Sequence, residues 1–377
     1  MNTRHQHNHW YRRCQALLQH ADIHINGDRP FDIQVLNPGF FERILKEGSL
    51  GLGESYMDGW WQCARLDLFF QRLLRSRLDA QQPLKMHDIL GVAAARLTNL
   101  QSKKRAWQVG KTHYDLGNDL FTAMLDPHMQ YSCGYWHQAT TLEQAQEAKL
   151  RLICEKLALR PGLTLLDIGC GWGGLAAYAA RHYGVSVQGI TISAAQQVLA
   201  QRHCAGLDVT ISLQDYRDLN QSFDRIVSVG MFEHVGPKNH KTYFSTVQRN
   251  LHPDGLFLLH TIGANQAKAK VDPWINKYIF PNGSLPSMAH IGKASEGLLV
   301  MEDWHNFGAD YAPTLMAWHH RFEQAWPTLA ERYGDRFERM FSYYLNACAG
   351  AFRARDLQLW QVLFSRHGVA GGMRVPR

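Results

Sequence analysis

Short apolar runs alternate with stretches of helical spacing across the middle of the chain. LTLLDI (163–168), SVQGITIS (186–193), DVTISLQD (208–215), FDRIVSVG (223–230) and LFLLHTIG (256–263) read as strands. Between them, AAQQVLAQRHCAG (194–206) and the residues around 239–251 read as helices, and Pro253-Asp254-Gly255 as a turn. Ahead of the first strand, residues 141–157 form an amphipathic helix through Leu142, Ala145, Leu150, Leu152, Ile153 and Leu157. Strands separated by helices predict parallel β in a doubly wound α/β sheet. After residue 264 the pattern loosens. LLVMEDW (298–304) is a possible strand, 314–333 and 335–355 are helical, and LQLWQVLFSR (357–366) alternates like an edge strand.

The N-terminal part follows a different pattern and predicts a smaller, mostly helical domain over residues 1–100, with the α/β domain over 101–377. Trp10, Cys14, Leu17 and Leu18 recur at helical spacing, and Asn37-Pro38 opens a helix that Gly48 ends. GLGESYMDGWW (51–61) reads as a turn-rich segment whose aromatics form a compact mini-core. A helix follows through Leu66, Phe69, Phe70, Leu73 and Leu74, with Arg72, Arg75 and Arg77 beside its stripe. That face suits an anionic lipid surface or a packed, solvated helix. Pro83 breaks it, a further helix reaches Leu100, and Lys103-Lys104-Arg105 marks a linker or surface patch.

With 377 residues and a formal charge of +7, the chain has room for two domains and favours anionic partners: nucleic acid, acidic phospholipid or an anionic small molecule. Seven cysteines without C-x-x-C spacing suggest neither a zinc site nor a disulfide framework, and point to a reducing cytoplasm. The opening residues MNTRHQHNHWYRR lack the apolar core of a signal peptide, and no apolar run reaches the roughly 18 residues of a membrane span. The expectation is a protein that is soluble or at most lies on a membrane.

The chemistry concentrates where the first strand ends. Gly169, Gly171, Gly173 and Gly174 follow LTLLDI, and a helix starts near Leu175, so backbone N–H groups face a turn that a ligand can approach closely. An NAD site wants an acidic residue at the end of the second strand. SVQGITIS ends without one, and no Walker lysine is present. Asp167 in DIGCGWG instead resembles the first motif of S-adenosylmethionine (SAM) methyltransferases.

YSCGYW (131–136), LDIGCGWGG, MFEHVG (231–236) and LLHTIG (258–263), in this order, resemble the cyclopropane-fatty-acyl-phospholipid synthases, relatives of the mycolic acid cyclopropane synthases. The likeness runs from LGESYMDGWW to NACAGAFRARDLQLWQ near the C-terminus. It implies a Rossmann-like SAM-dependent methyltransferase sheet and methylene transfer from SAM to the cis double bond of an acyl chain in a membrane phospholipid. It also implies a bound bicarbonate as base. The matching positions for that anion are Cys133, Glu233, His260, Ile262 through its backbone, and Tyr311. Cys348 lies in a family-like segment and ranks as the weakest catalytic candidate, since direct attack by an alkene needs no covalent enzyme intermediate. For SAM the resemblance points to Tyr131, Ser132, Asp167, Gly169, Gly171, Gly173, Thr191, Gln196, Asp215 and Tyr216. It further implies a homodimer. The basic charge, with Arg72, Arg75 and Arg77 beside Phe69 and Phe70 and the Lys103-Lys104-Arg105 run, suggests a cytoplasmic protein peripherally associated with the inner face of anionic membranes; no nucleic-acid partner is expected.

Each of these residues has a plainer reading. His260 fits a hydrogen-bonded core histidine, Glu233-His234 a solvated loop pair, Cys133 a buried small residue, and Cys348 helix packing. At the level of activity three alternatives stay open: a sister reaction giving a branched or hydroxylated chain, a nucleic-acid methyltransferase, and a catalytically silent lipid-binding module. The N/D-P-P-Y/F motif of base amino methylation is missing, which counts against the second.

Overall fold

The computed structural model describes residues 9–77, 117–267 and 271–377. Pro83, the helix expected to reach Leu100 and the Lys103-Lys104-Arg105 run lie outside the described residues.

Two compact units result, and the first is discontinuous in sequence. Met1–Arg96 is joined by Lys270–Pro281 and Leu315–Leu357, so the helical unit is larger than a cut near residue 100 makes it. Its described N-terminal elements are the helices His9–His20, Phe40–Glu47, Ser49–Met57 and Leu66–Arg75, with a two-stranded antiparallel pair, β1 (Gln34–Val35) and β2 (Trp61–Gln62). The helix opened by Asn37-Pro38 does end at Gly48, with φ of 62°. The mini-core is present too: Trp61 is fully buried against Phe40, Tyr56 and Phe69.

One expectation fails here. The segment read as turn-rich is largely the helix Ser49–Met57. Its glycines serve packing: a Cβ on Gly53 would lie 2.3 Å from the Trp274 ring, and one on Gly51 would lie 2.7 Å from the Arg43 carbonyl oxygen. The helix Asp335–Arg353 meets Leu66–Arg75 as closely, since a Cβ on Gly350 would come within 2.4 Å of Phe70. Buried Asp67 there takes both Arg65 and Arg353.

The second unit holds a seven-stranded sheet in the order β5-β4-β3-β6-β7-β9-β8. Its strands are β3 (Thr164–Ile168), β4 (Ser186–Thr191), β5 (Val209–Leu213), β6 (Phe223–Val229), β7 (Leu251–Ala264), β8 (Val300–Asn306) and β9 (Leu357–Ser365). The neighbours from β5 through β7 are all parallel, and β8 and β9 are antiparallel to each other. Successive residues go to opposite faces. Leu165, Val227 and Leu258 join one core layer, whereas Leu166, Ile226, Phe257 and Leu259 join the other. That double burial is why the parallel strands read as continuous apolar runs.

Two further readings change. The Pro253-Asp254-Gly255 turn lies inside β7, where a register shift separates the pair Phe223–Leu251 from Arg225–Leu256. The C-terminal strand β9 is not an edge strand. It lies between β7 and β8, is buried from Gln358 to Ser365, and leaves β8 as the edge.

Candidate active site

Strand order reverses between β3 and β6, so their C-terminal ends open the crevice where doubly wound folds bind ligands. The glycine turn lies at the first of these ends. Gly169 and Gly171 take φ of 85° and 55°, which L side chains rarely adopt. Gly169 is backed by Met231, with a Cβ 3.0 Å from that side chain, whereas a Cβ on Gly171 would meet no atom within 4 Å. The turn thus leaves room on the side of Gly171, where the helix Gly174–Tyr183 directs its first N–H groups. Gly173, at φ of 81°, caps that helix.

Asp167, near the end of β3, is buried with no partner for Oδ2. Burial pushes its carboxyl up to about 7, against the pull of Lys149. At the end of β4, Thr191 Oγ1 donates to Gln196 Oε1 at 2.9 Å and accepts the Ser193 N–H at 3.1 Å. Asp215, after β5, is held by Arg217 at 2.8 and 2.6 Å, and the Tyr216 ring packs on Tyr243.

Residues 128–136 pass the start of the glycine helix so closely that a Cβ on Gly174 would lie 1.9 Å from the His128 carbonyl oxygen. This segment contains Tyr131, Ser132 and Cys133. Tyr131 packs edge-on against Phe121, which also touches Trp172 of the glycine loop. Ser132 is tied to the helix Leu142–Lys156: Gln146 Nε2 donates to its carbonyl oxygen at 2.8 Å and Lys149 Nζ to its hydroxyl at 2.9 Å. Cys133 is fully buried, and burial holds its thiol well above the usual range. Thr314 secures the next turn, accepting the Gly134 N–H at 3.1 Å and the Trp136 indole N–H at 2.8 Å.

At the other end of the crevice, Glu233 follows β6 on a short 3₁₀ turn and His260 lies on β7. Glu233 Oε1 accepts the Ile262 N–H at 2.7 Å, so the backbone contact expected of Ile262 goes to this carboxyl. Glu233 Oε2 is buried without a direct hydrogen bond, and burial raises the group to about 7 against the opposing pull of the Ile262 N–H and the Thr261 hydroxyl. His260 Nδ1 lies 3.3 Å from Gln361 Nε2, and its Nε2 is buried without a hydrogen bond. Burial keeps this imidazole neutral by lowering its pKa well below the ordinary value. Tyr311 is buried at the start of the helix Tyr311–Tyr333, next to Asp310, which accepts the Trp136 N–H at 2.8 Å.

Cys133, Glu233, His260, Ile262, Tyr311 and every SAM candidate fall in the second unit. Cys348 falls in the first, on the helix Asp335–Arg353, with its thiol pushed up to about 12 by burial and by Asp272. Sequence reasoning missed Gln146, Lys149, Thr314 and Gln361. The signal for Lys149 was its spacing of seven from Leu142, which puts it on the inward face of that helix.

The model of the mycolic acid cyclopropane synthetase family matches residues 101–362. The chain is 68% identical over 368 residues to the cyclopropane-fatty-acyl-phospholipid synthase of Escherichia coli K12, covering 98% of this chain and 96% of the relative. The chain belongs to the cyclopropane synthase family. Members of this family are SAM-dependent methyltransferases, and the chain is an enzyme of that kind. Among solved structures, the cyclopropane synthase MmaA2 of Mycobacterium tuberculosis matches with a TM-score of 0.65 and 32% identity, over 68% of this chain and 97% of that one. The mycolic acid cyclopropane synthase CmaA1, complexed with SAH and CTAB, matches equally well, with a TM-score of 0.65, 32% identity and the same shares of both chains. The Rossmann-like sheet of a cyclopropane synthase is thus the scaffold on which the strand-end residues stand.

Proposed function

We propose that this enzyme transfers a methylene group from SAM to the cis double bond of an unsaturated acyl chain in a membrane phospholipid, giving a cyclopropane ring. The reading rests on one observation beyond the likeness: Glu233 Oε2, on the turn after β6, and His260 Nε2, on the adjacent parallel strand β7, are buried polar atoms without hydrogen bonds. Buried polar atoms are normally paired, and two such atoms on neighbouring segments fit a small hydrogen-bonding anion. The open side of Gly171 fits the close backbone approach of SAM.

SAM supplies an electrophilic sulfonium methyl, and bicarbonate supplies a base for the proton that the cationic substrate releases on ring closure. His260, kept neutral, donates through Nε2. Glu233 accepts an O–H through Oε2, with Oε1 anchored by the Ile262 N–H. Cys133 contributes through its backbone, since its buried thiol stays protonated. Tyr311 offers a phenolic donor. Fixed dipoles of this sort stabilise a charged centre without reorganising during reaction.

The similarity to the E. coli phospholipid synthase supports phospholipid as the carrier of the acyl chain. Work at the inner face of an anionic membrane suits the net charge of +7. Among the described residues, no helix is long and apolar enough to cross a membrane. The test is mass spectrometry of lipids from cells expressing the protein, which should show one CH₂ gained per unsaturated chain with loss of the double bond. Unchanged lipids would refute the activity. Full turnover in bicarbonate-depleted buffer would remove bicarbonate from it.

A further inference from the structure

Lys149 has no part in the reading above, yet it is fully buried. Its ammonium donates to Gln130 Oε1 at 2.6 Å and to Ser132 Oγ at 2.9 Å. On the same face of the helix, Gln146 holds the Ser132 carbonyl, and the Ala145 carbonyl accepts the Tyr135 N–H at 2.8 Å. Three residues at helical spacing thus fasten the segment that contains Tyr131, Ser132 and Cys133. A neutral side chain could fasten it too, and burying an ammonium is costly. The charge therefore needs a reason of its own.

The groups around Lys149 supply one. Asp126 acts on it from the turn after the helix Asn118–Met124, Cys133 from the fastened segment, and Asp167 from β3. Its own charge is felt at Cys133 and at His260 on β7. Cys133, Glu233, neutral His260 and Tyr311 bring no positive charge to an anion among them.

We propose that Lys149 is a positioning residue: it clamps the segment through Gln130 and Ser132, and its charge balances the small anion held by Cys133, Glu233 and His260. The clamp stands on the geometry alone, whereas the charge balance rests on the bicarbonate reading. Burial brings the ammonium from 10.5 down to about 8. The charge is present below that pH and is lost as pH rises through it, so the hold on the anion should weaken on the alkaline side.

The experiment compares full-length wild type and Lys149→Met, with bicarbonate titrated at pH values on either side of about 8. Wild type should need more bicarbonate on the alkaline side. Lys149→Met should need more on both sides, without the alkaline change, and its kcat at saturating bicarbonate should fall on the order of 10²-fold. Retained binding of S-adenosylhomocysteine in calorimetry shows that the variant is folded. If it does not fold, Ser132→Ala decides: it removes one acceptor from the ammonium, so the alkaline limb should move to lower pH. A Lys149→Met enzyme with the wild-type profile, or an unmoved limb in Ser132→Ala, overturns the proposal. Wild type fully active without bicarbonate defeats the bicarbonate reading and the charge balance, and a kcat loss in Lys149→Met then supports the clamp alone.

Discussion

At Glu233 one carboxylate oxygen is tied to the Ile262 N–H while the other is buried without a direct hydrogen bond. Burial raises the group to about 7, so it is neutral below that pH and a carboxylate above it. Only the carboxylate presents both oxygens as acceptors. Activity should therefore fall as pH drops through about 7. Asp167 is raised to a similar value, so wild type alone does not assign the limb. Glu233→Gln does: it should lose roughly 10²–10³ in kcat/KM, as when one preorganised contact to a charged centre is removed, and it should lose the acid limb. A Gln variant with the wild-type rate would take Glu233 out of the site. At Gly171 both φ of 55° and the open space beside it bear on ligand approach. Gly171→Val puts a branched Cβ where L residues strain and into the space left for SAM. Calorimetry should show SAM binding lost, and retained affinity would place SAM elsewhere. These residues were legible because glycines crowd after an apolar run and polar residues follow parallel strands. Lys149 and Gln361 were harder to see, since a lysine on a helix and a glutamine on a strand read as solvent-facing.

At the scale of elements, the segment 128–136 depends on contacts that local sequence does not announce. Thr314 is fully buried and accepts two N–H groups, from Gly134 and the Trp136 indole, while donating to the Asp310 carbonyl oxygen at 2.8 Å. Thr314→Val keeps the shape and strands both donors, each costing about 1–3 kcal/mol. Chemical denaturation should report a destabilisation of that order, and an unchanged midpoint would mean the segment holds without Thr314. The strand β9 shows the same limit of local reading. Its polar positions Gln358 and Gln361 made it resemble an edge strand, yet Gln361 supports His260 and Gln358 bonds Asn265 and Asn306. These two glutamines lie three apart, on opposite faces of the strand, and both are buried, so their polarity marks hydrogen bonding inside the protein rather than exposure to solvent. The helix Ser49–Met57 was hidden for a related reason. Gly51 and Gly53 look like turn residues until Trp274, from a remote part of the chain, is seen packed on Gly53.

For the whole molecule, the proposed activity raises the question of how a chain without a spanning helix among its described residues would meet acyl chains in a bilayer. In sequence the stripe of the helix Leu66–Arg75 suits a lipid surface, but in the structure Phe69 and Phe70 are buried in the first unit. Arg72 is occupied as well, paired with Asp22 at 2.8 Å and lying 3.9 Å over the Phe31 ring. Arg75 and Arg77 remain exposed. This helix thus offers a membrane charge and no aromatic anchor, which adds to the overall +7. Attraction between exposed charges is screened over a Debye length of about 10 Å at 0.1 M salt. Binding of the full chain to vesicles containing anionic lipid should therefore weaken as salt rises and be nearly absent on neutral vesicles. Arg75→Glu with Arg77→Glu should lower it further while leaving the fold intact, because neither side chain is buried. Flotation or co-sedimentation measures this directly. Salt-independent binding, or equal binding to neutral vesicles, would show that apolar insertion elsewhere does the holding; exposed Leu36, Met288 and Met301 would then be the side chains to replace first.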